Sequence, residues 1–224
     1  MCSIFGIFGL QPGDDIQALR RQSLDCSQRQ RHRGPDWSGV YIDEGGASEG
    51  AILVHERLAI VDPAGGSQPL LSEDRGLALA VNGEIYNHKQ LKAELTQAYA
   101  FQTESDCEVI NALYLEDAPA SFLNRLNGIF AFALWDAGKG RAIIARDPLG
   151  VCPLYWGHDK EGRLRVASEM KSLVDECADV AQFPPGHWYD TATGELTKYY
   201  QRPWRDYDVV EGVEVSLQEL REAF

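Results

Sequence analysis

The sequence predicts an α+β protein in which antiparallel strands form most of the chain and helices gather in its middle. Three observations carry this. "GIFAFALWDAGKGRAIIARD" holds two apolar runs, 129–135 and 142–145, joined by a short Gly-containing link. It reads as a hairpin covered on both faces. Residues 88–95 and 106–115 carry helical periodicity, with Val109, Ile110 and Leu113 on one face. "HWYDTATGELTKYY" is a second hairpin, turning near Gly194. That order places sheets between other layers.

The remaining elements follow in sequence. Residues 2–9 read as a strand, because a terminus that frays has no use for Ile4, Phe5, Ile7 and Phe8. Asp14 or Asp15 can cap a helix carrying Ile16, Leu19 and Leu24. "RGPDWSG", 33–39, is a loop from its Gly and Pro. Residues 40–42 and 51–61 are rich in β-formers, and 77–81 form a strand stopped by Asn82-Gly83. "PLYWG" and "RLRVAS" supply two further strands. In "SLQELREAF", Ser216 and Glu219 have capping-box spacing, and Leu217, Leu220 and Phe224 follow at helical intervals. Two turns of helix are marginal alone, so this tail is expected to begin a further domain.

Composition bounds the function. The chain has 224 residues, 44% hydrophobic and 25% charged, and a net charge of −13. An acidic surface disfavours nucleic acid, which needs basic groups against phosphate. The one basic cluster, "RQRHR", reads as a loop anchored by salt bridges. There is no apolar run long enough for a membrane span and no signal-peptide pattern, so neither a membrane nor a leader is expected. Five cysteines, Cys2, Cys26, Cys107, Cys152 and Cys177, include no CxxC pair. Neither a disulfide framework nor a zinc site is suggested, and a reducing cytoplasm fits. Four of the five read as small buried hydrophobes.

Cys2 is the candidate exception. Methionine is removed efficiently before a small residue, and removal leaves a thiol beside a free α-amine. Their pKa values, about 8.5 and about 7.7–8, are close enough for one residue to act as nucleophile and base. Read alone, Cys2 is equally a chance residue at a strand start. A thiol attacking an amide creates an oxyanion that needs fixed donors, and Asn82 (side-chain NH₂) with Gly83 (backbone N–H) offers them. Read alone, Asn-Gly is equally a hairpin turn. For an amino-acid substrate, Arg57 can grip the carboxylate bidentately, while Asp106, assisted by Glu84, can receive the ammonium. Surface ion pairing is the alternative for all three. His55 reads as a structural histidine. No HExxH or P-loop motif occurs.

"MCSIFGIFG", "RHRGPDWSG", "HERLAIVD", "VNGEIYNH", "SDCEV", "GIFAFALWD", "ARDPLG" with "PLYWG", and "ASEMKSL" occur in this order. Together they resemble the glutaminase domain of the asparagine synthetase B type, a class II glutamine amidotransferase of the N-terminal-nucleophile hydrolase superfamily. The resemblance implies a four-layer αββα sandwich of two antiparallel sheets. It implies Cys2 as nucleophile, Asn82 and Gly83 as oxyanion hole, and Arg57 as carboxylate clamp. The adjoining backbone of Leu58, Ala59, Ile60 and Val61 would complete the binding segment, with Glu84 and Asp106 at the α-amino site. "RHRGPD" would shape the pocket. Residues 1–205 would form the glutaminase domain, and 206–224 a linker and first helix of a C-terminal synthetase domain in cis. ATP and Mg would be needed only there, and none for glutamine hydrolysis. A homodimer is possible. The rivals are an amidotransferase serving another acceptor and a glutaminase-like regulatory or scaffold module.

Overall fold

A computed structural model of the chain describes residues 2–46, 48–202, 206–212, 214 and 216–223. It contains two six-stranded antiparallel sheets packed face to face, with helices outside both, which is the four-layer αββα sandwich. The first sheet has the order β10-β8-β9-β1-β3-β2. Its strands are β1 (Ser3–Leu10), β2 (Trp37–Asp43), β3 (Gly50–Arg57), β8 (Tyr155–His158), β9 (Leu164–Ala167) and β10 (Ala181–Gln182). The second has the order β12-β11-β7-β6-β5-β4. It is built from β4 (Leu70–Leu71), β5 (Leu77–Ile85), β6 (Gly128–Asp136), β7 (Arg141–Arg146), β11 (His187–Asp190) and β12 (Glu195–Lys198).

Alternation along the strands sorts side chains into three apolar layers. Ile4, Phe8, Ala51 and Leu53 of the first sheet meet Ala78, Ala80, Ala131, Ala133 and Trp135 of the second. The alanines let the sheets approach, and Trp135 fills the space they leave, its Nε1 donating to Asp43 Oδ2 at 2.8 Å. Phe5, Ile7, Ile52 and Val54 face outward to α1 (Ile16–Gln28) through Leu19 and Cys26. Asp15 caps that helix by accepting from the Ala18 N–H at 2.9 Å. Leu79, Val81, Phe130 and Phe132 face α2 (His88–Glu94) and α3 (Val109–Glu116) through Leu91, Val109, Ile110 and Leu113. A short α4 (Pro119–Phe122) adds Phe122 to the same layer. α5 (Tyr207–Val210) and α6 (Leu217–Ala223) follow in the tail, where Ser216 Oγ accepts from the Glu219 N–H at 3.2 Å and Leu217 and Leu220 are exposed. Met1, Phe224 and the proposed domain boundary at 205 lie outside the described residues.

Three expectations need correction. The predicted loop 33–39 ends early, because β2 begins at Trp37, pairing with Arg57. The β-rich run 51–61 is strand only to Arg57. Beyond it the Arg57 guanidinium folds back onto the carbonyls of Val61, Asp62 and Pro63, which bends the chain out of the sheet. Most consequentially, Asn82-Gly83 is no turn. β5 runs through it to Ile85, with Asn82 opposite Ala131 and Gly83 opposite Phe130. A Cβ on Gly83 would collide with the Ile129 carbonyl, so glycine serves close strand packing here, not a reversal.

Candidate active site

The open end of the layer between the sheets forms the site. Ile4 and Phe8 point between the sheets, so the period-two alternation turns Cys2 the same way. Ser3 lies opposite Glu56, which brings Cys2 level with Arg57 at the end of β3. On β5, Asn82 continues the inward-facing series of Ala78 and Ala80. Cys2, Arg57, Leu58, Ile60, Val61, Asn82, Gly83, Glu84 and Asp106 all line one cleft of about 550 Å³. Of the sequence-predicted residues only Ala59 does not line it; its N–H is turned to Asp36 Oδ2 at 2.8 Å.

Cys2 is half-buried. Its Sγ receives the Leu58 N–H at 3.3 Å and donates to the Leu58 carbonyl at 3.6 Å. Burial raises the thiol pKa, against the opposing pull of the Leu58 hydrogen bond and the Arg57 and Arg33 charges. The thiol therefore needs a base to ionise readily. Arg33 of "RHRGPD" donates through Nε to the Cys2 carbonyl at 3.0 Å and is tied to Glu169 at 3.3 Å, which anchors the first strand from the loop side.

Asn82 is fully buried, and neither its Nδ2 nor its Oδ1 has a partner. A buried amide without partners costs about 1–3 kcal/mol, and this one borders the cleft with both its donor and its acceptor unused. Asp106 Oδ2 accepts from the Ile85 N–H at 2.6 Å. Asp106 opens the turn Asp106–Glu108 and lines the cleft together with Cys2.

Gly66, Gln68, Ser105, Cys107 and Ile129 also line the cleft and were not predicted. Cys107 is buried, as expected of a small hydrophobe, but its Sγ lies 3.5 Å from the Gly83 carbonyl. Burial and then the Asp106 carboxylate push its thiol well up, in keeping with an S–H that donates to the Gly83 carbonyl. Cys26, Cys152 and Cys177 lie in apolar cores, and all five cysteines are free. Among the described residues no cluster of His, Cys, Asp and Glu is placed to hold a metal ion, and no helix is long and apolar enough to cross a membrane.

His55 is wholly buried beside Asn82's strand, with Nε2 3.0 Å from the Val81 carbonyl. Burial lowers its pKa to about 4, outweighing that hydrogen bond, and the Arg57 charge lowers it further. The unfolded chain therefore binds this proton below about pH 6.5, whereas the folded one does not until about pH 4. Stability is expected to fall by on the order of 3 kcal/mol as pH drops through that window. Urea titrations at stepped pH should show a shallower decline in His55→Gln; an unchanged slope refutes the assignment.

A sandwich of two antiparallel sheets carrying a cysteine at the head of its first central strand, facing a buried carboxamide, defines the class: an N-terminal-nucleophile hydrolase architecture. Residues 1–184 match the family described as "Glutamine amidotransferase domain", and the chain belongs to that family. It is 52% identical over its whole length to asparagine synthetase B [glutamine-hydrolyzing] of Escherichia coli, covering 39% of that protein. It is 47% identical to asparagine synthetase [glutamine-hydrolyzing] 2 of Oryza sativa, over 91% of this chain and 33% of the relative. The chain thus spans well under half the length of these relatives. Among solved structures, the glutamine phosphoribosylpyrophosphate amidotransferase of B. subtilis superposes with a TM-score of 0.70 at 23% identity. The match covers 90% of this chain and 50% of that one, and it shows a shared fold.

Proposed function

We propose that this chain hydrolyses glutamine to glutamate and ammonia, with Cys2 as nucleophile once Met1 has been removed. One observation carries the reading: Cys2, Arg57, Asn82, Gly83 and Asp106, drawn from separate segments, converge on one cleft in which the Asn82 amide is buried and unpartnered. Glutamine docks with its α-carboxylate on Arg57 and its ammonium on Asp106 and Glu84, beside the backbone from Leu58 to Val61. The α-amine of Cys2 takes the thiol proton, and sulfur attacks the side-chain carbonyl. Asn82 and Gly83 hold the resulting oxyanion. The amine returns the proton to the leaving nitrogen, ammonia departs, and a γ-glutamyl thioester remains. Water, deprotonated by the same amine, cleaves the thioester to glutamate and restores the thiol. No metal or nucleotide enters these steps.

The asparagine synthetases that the chain resembles are more than twice its length. We therefore place the released ammonia in ATP-dependent asparagine synthesis from aspartate, carried out by a C-terminal domain in cis that would hold ATP and Mg. Residues 1–205 would be the glutaminase domain and 206–224 the start of the connection, whose exposed Leu217 and Leu220 suit burial against that domain. A cytoplasmic setting fits the free thiols.

A diazoketone analogue of glutamine tests the reading. It is expected to label Cys2 at one equivalent in folded, Met1-free protein, with excess glutamine protecting. Labelling at another cysteine, or none, overturns it.

A further inference from the structure

We propose that Gln68 and His55 are positioning residues for this reaction: their side chains replace the missing continuation of β4 and clamp Val81, so that the adjoining Asn82 amide and Gly83 N–H stay in place. The inference rests on the reading of Asn82 and Gly83 as oxyanion donors.

β4 has two residues, paired with Leu79 and Ala78, whereas β5 runs on to Ile85. That leaves the functional half of β5 without a strand on one edge. Alternate residues of an antiparallel strand direct their N–H and C=O to the same edge. The Tyr86 N–H is bonded to the Asn127 carbonyl, and the Phe130 carbonyl is turned away to Asp147. Asn82 and Glu84 therefore bond to β6, and Val81, Gly83 and Ile85 face the edge that β4 vacates. Side chains meet that row one after another. The Val81 N–H donates to Gln68 Oε1 at 3.0 Å, and the Val81 carbonyl accepts from His55 Nε2 at 3.0 Å. The Gly83 carbonyl lies 3.5 Å from Cys107 Sγ, and the Ile85 N–H meets Asp106. The Gly83 N–H belongs to the same row, facing the cleft.

Both clamps are themselves fixed. A carbonyl only accepts, so His55 Nε2 carries the proton; Nδ1 has no partner, and the ring makes one bond, to Val81. His55 sits on the opposite sheet, in register with Ile4 and Gly39. Gln68 is seated by Gly39, where a Cβ would collide with the Gln68 carbonyl. Val81 is thus gripped through both backbone groups, from β3 and from the segment before β4. Displacing an oxyanion donor by about 1 Å can cost roughly 100-fold in rate.

The test compares Gln68→Met, His55→Leu and His55→Gln in the full chain, at a temperature where each is fully folded by circular dichroism. Four quantities are read. They are glutaminase kcat and KM, inhibition by glutamate γ-semialdehyde (whose thiol adduct carries an oxyanion), and iodoacetamide alkylation of Cys2, which forms none. The two disruptive variants should lose roughly 10- to 100-fold in kcat, with KM within about twofold. Aldehyde inhibition should weaken in parallel while alkylation stays within about twofold. His55→Gln, which keeps an N–H donor, should recover most of kcat. Unchanged kcat in folded Gln68→Met and His55→Leu overturns the clamp, as does a loss shared equally by alkylation. Half-buried Gln68 carries the test if His55→Leu does not fold. Full activity in Asn82→Ala would instead overturn the oxyanion reading beneath it.

Discussion

Cys2→Ser is expected to lower steady-state ammonia release from glutamine by about 10⁴-fold or more, with the unfolding midpoint unchanged. The α-amine can deprotonate a thiol because the two pKa values lie within about a unit. A serine hydroxyl is far weaker as an acid, so the same amine cannot ionise it to a useful extent. Burial already raises the Cys2 pKa, so the site has no acidity to spare for a poorer nucleophile. The fold should not notice, since among the described residues the hydrogen bonds of Sγ are to the Leu58 backbone, and Ser Oγ can bond the same groups. Ammonia release within about tenfold of the parent would end the assignment of Cys2. A chain retaining Met1 should behave like the variant, because its Cys2 nitrogen is an amide and no longer a base.

The fold was legible where local pattern and global arrangement agree. The β6–β7 hairpin reads as apolar on both faces, and it lies between the inter-sheet layer and the helical layer. The Asp15 cap and the Gly194 reversal, with φ at +69°, are local chemistry and needed no tertiary information. Asn82-Gly83 shows the converse. Its turn propensity is local, but nine consecutive pairings between β5 and β6 outweigh it. The run beyond Arg57 has strand composition, yet the guanidinium binds its carbonyls and Asp62 takes a positive φ of 50°. The β5–β6 pairing is long-range in sequence, whereas the Arg57 bonds reach only four to six residues ahead and override strand composition from close by.

Site residues divide the same way. Those whose side-chain chemistry is unusual for their context could be singled out: a cysteine at position 2, an arginine within a β-rich run. Gln68 and Cys107 could not. Gln68 matters because β4 is short, and a strand's length in space depends on what pairs with it. Cys107 has the burial of a core residue and borders the cleft only because Asp106 turns the chain there. A glutamine before proline, fourteen residues upstream of Asn82 in its strand, carries no periodic or motif signal.

Asn82→Ala is expected to cost about 10²–10³ in kcat, as loss of a single oxyanion donor does, and to leave stability unchanged or higher. The two effects share one cause. In the free protein the Asn82 amide is buried with neither polar atom partnered, so the fold bears a desolvation cost of about 1–3 kcal/mol for each such group. Alanine removes that cost and loses little packing, since its neighbours on this face, Ala78 and Ala80, are alanines already. Asn82→Asp should be worse for activity than alanine, because a carboxylate opposes the developing oxyanion. Steady-state kinetics paired with thermal unfolding decides the matter. A fall in kcat matched by a fall in midpoint would make Asn82 a structural residue; lost activity with retained or raised stability is the signature of a side chain kept unsatisfied for the transition state.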